Sequence, residues 1–444
     1  MPAPPPTPPA AIPAQYLKPG ATLSLEQVID LALSNNPVTR TAWYQARAAA
    51  ANLGAKRAAY FPDLELEADL TRSKQTSVGS RFVTLQTTYG PSLNLSWLLF
   101  DVGGRAADVE EARNALFVAD WTHDAVIQNL VLQVEIAFYQ YQNAKAQAAA
   151  AEATLKQARE SLAAAEERHN AGVATIADVL QARTAVSQAE LVLATARGSI
   201  QTLRGALATA AGVSPDVPVD VGELPANVDV DGIGETVDVL IHRAESRRPD
   251  LAAARFEVLR AQSHVRSVRA EGLPSLAASG SVNRVYFYNS TGVPFANNYS
   301  GSIFFRFPLF TGGRNTYETL EAREQARAAE GRAETLQDQV VLQVWTSYYN
   351  LKTAAQRVKT ARDLLASATQ SQEVAAGRYR AGVGSILDLL VAQSAFANAL
   401  AQEAQARSDW FVALALLAHD TGSLGPPPAT PPSATPGGSG GALP

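Results

Sequence analysis

Two aspartates, Asp178 and Asp388, occupy matching places in two copies of one motif and are the most conspicuous charged groups of that motif. Each lies three residues after a hydroxyl residue, Thr175 or Ser385, in the [Ser/Thr]-x-x-[Asp/Glu] pattern of a helix capping box. A carboxylate at this place stabilises the start of a helix, because it accepts hydrogen bonds there and complements the helix dipole. Helix capping alone is therefore sufficient to account for both residues.

Other groups that could support chemistry are absent or scattered. The chain has no cysteine, so a thiolate metal site and a cysteine nucleophile are both excluded. The five histidines form no pair at helical spacing and lie near no cluster of further ligands. The glycine-bearing segments "GGR" and "GVGS" do not stand in a βαβ setting, so phosphate binding is not expected. We predict no catalytic site, no cofactor, no metal and no enzymatic activity.

Composition bounds the class of protein. The chain has 444 residues, of which 47% are apolar and 18% charged, and its formal net charge is -5. No basic block with interleaved aromatic residues is present, so nucleic acid is not expected as a partner. No run of apolar residues is long enough for a membrane-spanning helix, whereas a membrane β-barrel stays possible.

The chain repeats itself at an offset of 210 residues. "RHNAGVATIADVLQAR" begins at Arg168, and "RYRAGVGSILDLLVAQ" begins at Arg378. In each copy a Gly-Val pair, Gly172-Val173 or Gly382-Val383, interrupts a long helical pattern, which favours a glycine C-cap and a reversal into a second helix. Two helical hairpin tips are predicted.

The repeat also gives a layout for the whole chain, since "VLQV" recurs at Val131 and Val341 and Tyr139 matches Tyr349. We predict a Pro-rich tether at 1–21, a first repeat at 22–212 with a tip near 170–176, a linking segment at 213–234, a second repeat at 235–422 with a tip near 380–386, and a disordered Pro/Gly-rich tail at 423–444.

One strand hairpin is predicted in each repeat, at about 62–100 and 274–310. "LELEADLT" alternates apolar and polar residues from Leu64, and the strand sequence from Ile303 continues this period through Phe305, Phe307 and Leu309. The acidic face of Glu65, Glu67 and Asp69 fits a solvated strand face or a cation-preferring lumen. Trp97, Phe100, Phe307 and Phe310 fit an aromatic girdle at a membrane interface or ordinary packing.

Two segments, 102–171 and 313–381, read as helices of nearly 70 residues. At about 1.5 Å per residue each would be about 100 Å long, which predicts a rod or a tube. A solvated coiled coil is the alternative, but no strict leucine heptad persists. If the apolar strand face meets lipid, four strands cannot close a barrel, so several copies must share one.

The order and duplication of these motifs resemble the TolC family of outer-membrane efflux channels over about residues 22–422. The resemblance implies a mixed α and β fold: a trimeric outer-membrane β-barrel, with four strands per chain and twelve in total, continuous with a long periplasmic α-helical barrel. It implies a passive exit duct of a tripartite efflux pump or a type I secretion system in a Gram-negative outer membrane. The alternative is a soluble periplasmic coiled-coil adaptor or structural protein.

The resemblance also assigns roles at the second tip. Asp388 matches a carboxylate ring that narrows the pore, Tyr379 matches a tyrosine that holds the closed tip, and Asp178 matches an acidic partner of that lock. Gly384 stands where the best-studied members carry an arginine of the lock, and Val391 where they carry a second acidic ring. An apolar constriction of Leu387 and Val391 is the alternative to a single acidic ring.

The tips themselves are expected to dock onto other proteins. The implied partners are a periplasmic adaptor protein and an inner-membrane transporter, in addition to two further copies of the chain and outer-membrane lipid. The expected docking residues are Gly172, Val173 and Ala174 at the first tip and Gly382, Val383 and Gly384 at the second.

Overall fold

The computed structural model describes residues 22–76, 83–223, 225, 230, 234–288 and 292–424. The predicted tether at 1–21 and the tail from 425 onward lie outside the described residues. Contacts divide the chain into two compact units. The first comprises Trp43–Thr122 and Leu251–Leu336 and contains the main sheet. The second comprises His123–Asp250 with 22–42 and 337–424, and contains both hairpin tips.

Eight helices are present in the described residues, and they come in pairs of equal length on either side of residue 221. The pairs have 11, 22, 67 and 35 residues. They are α1 (Leu25–Asn35) with α5 (Val237–Arg247), α2 (Pro37–Ala58) with α6 (Pro249–Ala270), α3 (Gly104–Asn170) with α7 (Arg314–Arg380), and α4 (Ile176–Ala210) with α8 (Ile386–Asp420). The two predicted long helices are therefore confirmed, each about 100 Å long. No described helix has enough length and apolar character together to cross a bilayer.

A four-stranded antiparallel sheet lies in the first unit, and a separate parallel pair lies in the second. The strands of the sheet are β2 (Asp63–Thr76), β3 (Val83–Phe100), β5 (Ser275–Phe287) and β6 (Phe295–Arg306), in the order β2-β3-β5-β6; the parallel pair is β1 (Thr22–Leu23) with β4 (Asp220–Val221). Both predicted hairpins are present. Among the described residues, β2 and β6 each leave one edge of the sheet unpaired.

The sheet sorts its side chains onto two faces, as the alternating sequence predicts. Leu66 lies opposite Leu93, and the neighbouring Glu67 lies opposite Ser92 on the other face. Leu66 is 77% exposed and Tyr299 of β6 is 88% exposed. The apolar face is therefore bare in the single chain, which in water alone would be costly.

The predicted end of the second hairpin was wrong by a few residues. β6 ends at Arg306, so Phe307 and Leu309 lie beyond the strand rather than in it. Pro308 gives the physical reason, since proline has no N–H to donate to a strand ladder and fixes its own φ. The apolar alternation continues past the point where the backbone pairing stops.

Short turns lead from the sheet into the long helices in the first unit. Val102 has a φ of +50°, and its counterpart in the second repeat, Gly312, has a φ of +67°. A left-handed conformation costs glycine little but strains a β-branched residue. Arg105 supports the first turn, because its Nη1 donates to the carbonyl of Leu98 at 2.6 Å. The "GGR" segments are thus strand-to-helix turns.

The largest core cluster formed by the described residues lies in the second unit, where α1, α3 and α4 meet the parallel strand pair. Val28, Val134, Leu207 and Val221 are completely buried there. Burial of each such side chain contributes about 1.5–3 kcal/mol relative to exposure. Asp220 of β4 accepts hydrogen bonds from Lys145 Nζ at 2.8 Å and from the Tyr141 hydroxyl at 3.2 Å, which ties this strand to α3.

The first helical hairpin, α3 with α4, carries ion pairs along its length. Within the described residues, three of them connect the two helices: Arg197 with Glu152 at 2.8 Å, Arg159 with Glu190 at 2.8 Å, and Arg183 with Glu166 at 3.2 Å. All six side chains are about half exposed. The counterparts of the latter two pairs in α7 and α8 are Thr369 with Leu400 and Ala376 with Gln393, which carry no charge.

Candidate functional site at the two hairpin tips

The first tip reverses the chain between α3 and α4 through a glycine C-cap. Gly172 has a φ of +74°, and its N–H donates to the carbonyl of His169 at 2.9 Å. The N–H of Val173 donates to the carbonyl of Arg168 at 2.9 Å. These two hydrogen bonds form a Schellman motif, so the predicted glycine C-cap is confirmed. The carbonyl oxygen of the next residue, Ala174, accepts a hydrogen bond from His169 Nδ1 at 3.0 Å.

The second tip, between α7 and α8, has the same geometry. Gly382 has a φ of +78°, and its N–H donates to the carbonyl of Tyr379 at 3.0 Å. The N–H groups of Val383 and Gly384 both donate to the carbonyl of Arg378, at 3.0 and 3.1 Å. The predicted second C-cap is confirmed as well. Val173 and Val383 are 67% and 69% exposed, so each tip presents one bare valine.

Both predicted capping boxes are present. The N–H of Thr175 donates to Asp178 Oδ2 at 2.8 Å, and the Asp178 N–H donates to Thr175 Oγ1 at 3.3 Å. Ser385 and Asp388 repeat this exchange at 3.4 and 3.0 Å. Within the described residues, the hydrogen bonds of Asp388 are those of its own cap. Asp388 is exposed and Asp178 half-buried.

The first turns of α8 separate an exposed face from a buried one. Leu387 and Val391 are four residues apart, so they share a face, and they are 56% and 61% exposed. Asp388, which follows Leu387, is exposed as well. Ile386 and Leu389 are instead buried, in a cluster with Tyr379. The structure therefore brings Leu387, Asp388 and Val391 together on one bare surface and places Tyr379 apart from it.

Tyr379 contacts the other hairpin through an arginine. Arg168 of α3 donates from Nη1 to the backbone carbonyl of Tyr379 at 2.6 Å, and its guanidinium carbon lies 4.8 Å from the centre of the Tyr379 ring. This is a charge-assisted hydrogen bond combined with a cation–π contact. Tyr379 is only 6% exposed, and Ala164 of α3 packs against the same cluster. Arg168 thus joins the first tip to the second within one chain.

Two charged groups of opposite sign, Arg168 and Asp178, act on the hydroxyl of Tyr379. Burial raises the pKa of Tyr379, the positive charge of Arg168 lowers it, and the negative charge of Asp178 raises it. The hydroxyl oxygen is buried and has no hydrogen-bond partner among the described residues. Asp178 therefore acts on Tyr379 through space, while Arg168 makes the direct contact.

Gly384 lies close to the last turn of α7, which leaves little space for a side chain at this position. A Cβ added at Gly384 would lie 3.0 Å from Arg378 Cβ and 3.1 Å from the Tyr379 nitrogen. Contacts this short are tight, so a side chain at 384 would require the neighbouring atoms to move by a few tenths of an ångström. No pattern in the sequence pairs Arg168 with Tyr379. Gly384 stands where the best-studied members of the family carry an arginine, and this difference was the available signal that another cation could hold Tyr379.

A seam of side-chain contacts continues from this point along α3 and α8. Ser161 pairs with Gln393 at 2.9 Å, and Asn143 donates to Gln405 at 2.6 Å. Farther along, the Tyr139 ring stacks on the Phe411 ring with the centres 4.7 Å apart. The two hairpins of one chain are therefore held side by side over most of the length of α8.

A metal-binding role has no support in the described residues, where no three His, Asp or Glu side chains are grouped as a metal site requires. The candidate functional site therefore consists of the two hairpin tips and the seam of contacts between α3 and α8.

Comparison with known proteins identifies this architecture. A family model described as "Outer membrane efflux protein" matches residues 28–213 and again residues 240–423. The chain belongs to this family. The TolC-like resemblance of the motifs is therefore confirmed. The protein is an outer-membrane efflux component, and the alternative of a soluble adaptor is set aside.

Individual members of the family support the match over nearly the full chain. Protein CyaE of Bordetella pertussis is 31% identical over 418 residues, which cover 91% of this chain and 85% of that protein. Outer membrane protein TolC of Escherichia coli is 25% identical over 404 residues, covering 88% and 80%. The crystal structure of the outer membrane protein VceC from Vibrio cholerae superimposes with a TM-score of 0.77 at 23% identity, covering 90% of this chain and 96% of that one. The family's fold is thus shared, and its efflux role is consistent with the expectation of no catalytic site.

Proposed function

We propose that three copies of this chain form the outer-membrane exit duct of a tripartite efflux pump, through which small molecules such as drugs pass from the periplasmic side to the exterior. The observation that carries the proposal is the four-stranded sheet with a bare apolar face and two unpaired edges. The role of duct for a type I secretion system uses the same architecture. In either case the protein moves cargo passively and catalyses no reaction.

The unpaired edges argue for several copies. In lipid the N–H and C=O groups of an open edge have no partner, so a spanning sheet must close on itself. Four strands are fewer than the smallest closed barrels contain. If β6 of one copy pairs with β2 of the next, three copies give a closed barrel of twelve strands. The bare leucines and aromatic residues then face lipid, and the face of Glu65 and Glu67 lines the lumen.

The equal helix lengths support two tandem structural repeats per chain, with the linking segment at 213–234 between them. The repeats would span 22–212 and 235–422, in agreement with the doubled match of the family model. Three chains then contribute six helical hairpins to a periplasmic tube that continues from the barrel.

The tips are the proposed gate of this tube. We assign Leu387, Asp388 and Val391 to the constriction, because they form one bare surface in the first turns of α8. Tyr379 and Asp178 belong to the contact that keeps the second tip beside the first, and Arg168 supplies the cation of that contact.

The same tips are the proposed docking surface for a periplasmic adaptor, which in turn connects the duct to an inner-membrane transporter. Val173 and Val383 are exposed, so three copies would present six valine side chains for docking. The neighbouring residues 172, 174, 382 and 384 belong to the same proposed surface. Replacing either valine by Glu should abolish efflux and leave the trimer intact, which drug susceptibility and size in detergent would show together.

The central experiment is electron microscopy of the detergent-solubilised protein, with conductance of the same sample in planar bilayers. The expected result is a threefold particle that forms ion-conducting channels. A monodisperse single chain in detergent-free buffer would contradict the proposal.

A further inference from the structure

The four-stranded sheet of the first unit separates its charges by face. The apolar face carries the even-numbered residues of β2 and β5 and the odd-numbered residues of β3 and β6, as the pairs Leu66–Leu93 and Leu93–Val282 show. All four acidic residues of these strands lie on the opposite face: Asp63, Glu65, Glu67 and Asp69. Three of their four cations lie on the apolar face: Arg72, Lys74 and Arg284. Within the described strands, the apolar face therefore carries positive charge only.

Arg72 and Lys74 stand at the hairpin end of this face, beyond a band of apolar and aromatic side chains. On β3 the band runs from Trp97 to Tyr89, a separation of about 27 Å along the strand. At a strand tilt of about 40° this is about 20 Å across a membrane, close to the apolar band of about 25 Å in membrane barrels. Tyr89 lies opposite Leu70, and the two cations follow Leu70 by two and four residues. They are therefore at headgroup depth when the apolar face meets lipid.

Arg284 extends toward the same end of the sheet. It lies opposite Asn297 on β6, and its Nε donates to Asn297 Oδ1 at 2.8 Å. Its guanidinium carbon lies 5.1 Å from the centre of the Phe295 ring, and Phe295 is two residues closer to the hairpin end. Long cationic side chains at a membrane interface extend in this way, with the stem along apolar surface and the charge toward the headgroups.

These cations are free to bind a ligand. All three are exposed, and none of them forms an ion pair with another described residue. The acidic residues of the strands cannot neutralise them, because they lie on the other face of the sheet. Cations beside an apolar surface in a membrane are stabilised by anions, which the headgroup layer can supply.

We propose that the hairpin end of the apolar face binds the phosphate groups of a phosphorylated glycolipid in the outer leaflet. Arg72 and Lys74 are the principal ligands and Arg284 is a further one. Arginine binds phosphate through parallel hydrogen bonds and lysine binds it as a point charge. Arg72 and Lys74 are two residues apart on one face, about 7 Å along the strand, so both side chains can reach one phosphate. The acyl chains lie along Leu66 and Leu70.

The inference rests on the proposed function and adds the class of lipid that the barrel binds. The long helices follow the other end of the strands, so in the proposed duct the hairpin end faces the exterior. Phosphates of neighbouring lipids repel one another and need cations between them. Here the chain supplies fixed cations in place of divalent ions. Binding should therefore survive removal of divalent ions by a chelator.

Lipid retention by the purified full-length protein tests this proposal. The probes are fluorescent lipid A with both phosphates and the same lipid after removal of both phosphates, each in non-ionic detergent with EDTA. We expect at least about tenfold higher affinity for the phosphorylated lipid, because charge-assisted hydrogen bonds to phosphate are strong. This affinity should fall as salt is added. Equal affinity for the two lipids would overturn the proposal, as would loss of the phosphorylated lipid on addition of EDTA.

A charge variant identifies the residues. Arg72→Gln with Lys74→Gln keeps long polar side chains but removes both charges, and should lower the affinity for phosphorylated lipid A by about tenfold or more. Arg306→Gln is the matched control, since Arg306 is the fourth cation of the strands and lies on the acidic face. Its affinity should stay unchanged. Unchanged affinity in the double variant, or an equal loss in Arg306→Gln, would overturn the proposal.

Competition separates a lipid site from a site for free phosphate. Inorganic phosphate should displace no more lipid than chloride does at the same ionic strength, because the apolar face also holds the acyl chains. Complete displacement by inorganic phosphate alone would assign the site to the free ion and overturn the proposed lipid.

The outcomes also separate this inference from the proposed function. If the particle is threefold and conducts ions but binds both forms of lipid A equally, the duct stands and the phosphate site does not. If the particle is a single chain in detergent-free buffer, the proposed function fails and this inference fails with it. The comparison of the two lipids uses the unmodified protein, so it decides the question even where the double variant does not assemble.

Discussion

Arg168 is the residue whose removal should most affect the proposed gate. Its hydrogen bond and its stacking on Tyr379 join the two tips, and contacts of this kind contribute about 1–3 kcal/mol. A shift of that size changes an open-to-closed ratio by about 5–150-fold. We predict that Arg168→Ala raises the open fraction of single channels in planar bilayers.

The control for this prediction is Arg159→Ala. Arg159 is also an arginine of α3, but it pairs with Glu190 on the first hairpin and does not contact the second tip. Its loss should leave the open fraction unchanged. Arg168→Lys should give an intermediate value, because lysine keeps the charge but cannot stack its head group as a planar guanidinium does. Equal open fractions for Arg168→Ala and the unmodified protein would show that this contact does not hold the gate.

Asp388 and Asp178 form a matched pair, since both are the third-position acids of capping boxes. We predict that Asp388→Asn lowers the cation selectivity of the channel, because the substitution removes a carboxylate from the bare surface assigned to the constriction. Reversal potentials in asymmetric salt solutions measure this. Asp178→Asn alters an equivalent cap but removes no charge from the proposed constriction. The cation selectivity of this variant should therefore stay unchanged. The same loss in both variants would point to cap damage as the cause.

At this scale the sequence was informative about local contacts and silent about distant ones. The caps at Thr175 and Ser385 follow from a spacing of three residues, which fixes the partner directly. Arg168 and Tyr379 are 211 residues apart, and their contact depends on how two hairpins lie side by side. No local pattern encodes that contact, so the sequence did not identify Arg168 as the partner of Tyr379.

The hairpin turns give a prediction about helix ends. Gly172 and Gly377 both have nothing within 4 Å of an added Cβ, but only Gly172 has a positive φ. We predict that Gly172→Ala destabilises the protein by about 1 kcal/mol, since alanine is strained in the left-handed region. Gly377→Ala, in the interior of α7, should stabilise it by about 0.5–1 kcal/mol. Thermal unfolding in detergent, followed by circular dichroism, measures both. Shifts of the same sign would contradict the assigned turn.

The parallel pair β1 and β4 gives a prediction about acid. Burial would raise the pKa of Asp220, but the hydrogen bonds from Lys145, the Val221 N–H and Tyr141, with the Lys145 charge, lower it overall. A lowered folded-state pKa stabilises the protein above the unfolded value, near 3.8, and this contribution is lost as the pH falls through the folded value. Asp220→Asn should therefore lose less stability than the unmodified protein when the pH falls below about 4.

The comparison requires thermal midpoints at several acid pH values. Glu160→Gln, at an exposed site on α3, serves as the control and should follow the unmodified protein. If the thermal midpoints of Asp220→Asn also follow those of the unmodified protein, the hydrogen bonds from Lys145 and Tyr141 do not stabilise this strand.

The elements themselves were largely predictable. Apolar residues repeat every two positions in the strands and every three to four in the helices, and Pro62 and Gly382 mark helix ends. These signals predict the elements because each depends on residues within a single element. The end of β6 was missed, since the apolar alternation runs past Pro308 while the pairing does not. The pairing of β3 with β5 joins segments almost 200 residues apart, and no period within one strand specifies it.

For the assembled molecule, the two faces of the sheet should respond oppositely to charge. Leu66 and Glu67 are neighbours on β2 that point to opposite faces. If the leucine face meets lipid, Leu66→Arg should destabilise the assembled barrel by about 2–4 kcal/mol at mid-membrane depth. Glu67→Arg places the same side chain on the proposed lumen face and should be tolerated. The yield of trimer in outer-membrane extracts measures the difference.

Equal yields from the two variants would remove the reason to place either face in lipid. Loss of trimer only in Glu67→Arg would reverse the assignment, with the leucines inside. The test is sharp because the two substitutions differ by a single position along one strand.

The ion pairs between α3 and α4 make the two hairpins unequal in their response to ionic strength. Attraction between half-exposed charges is screened within about 10 Å at 0.1 M salt and more strongly above that. Two of the three pairs have uncharged counterparts in α7 and α8. A rise in ionic strength should therefore weaken the α3–α4 hairpin more than the α7–α8 hairpin, in which Arg357 and Asp409 form one ion pair between the helices at 4.0 Å. In the proposed tube, the surrounding electrolyte would then set the relative stiffness of neighbouring helical hairpins.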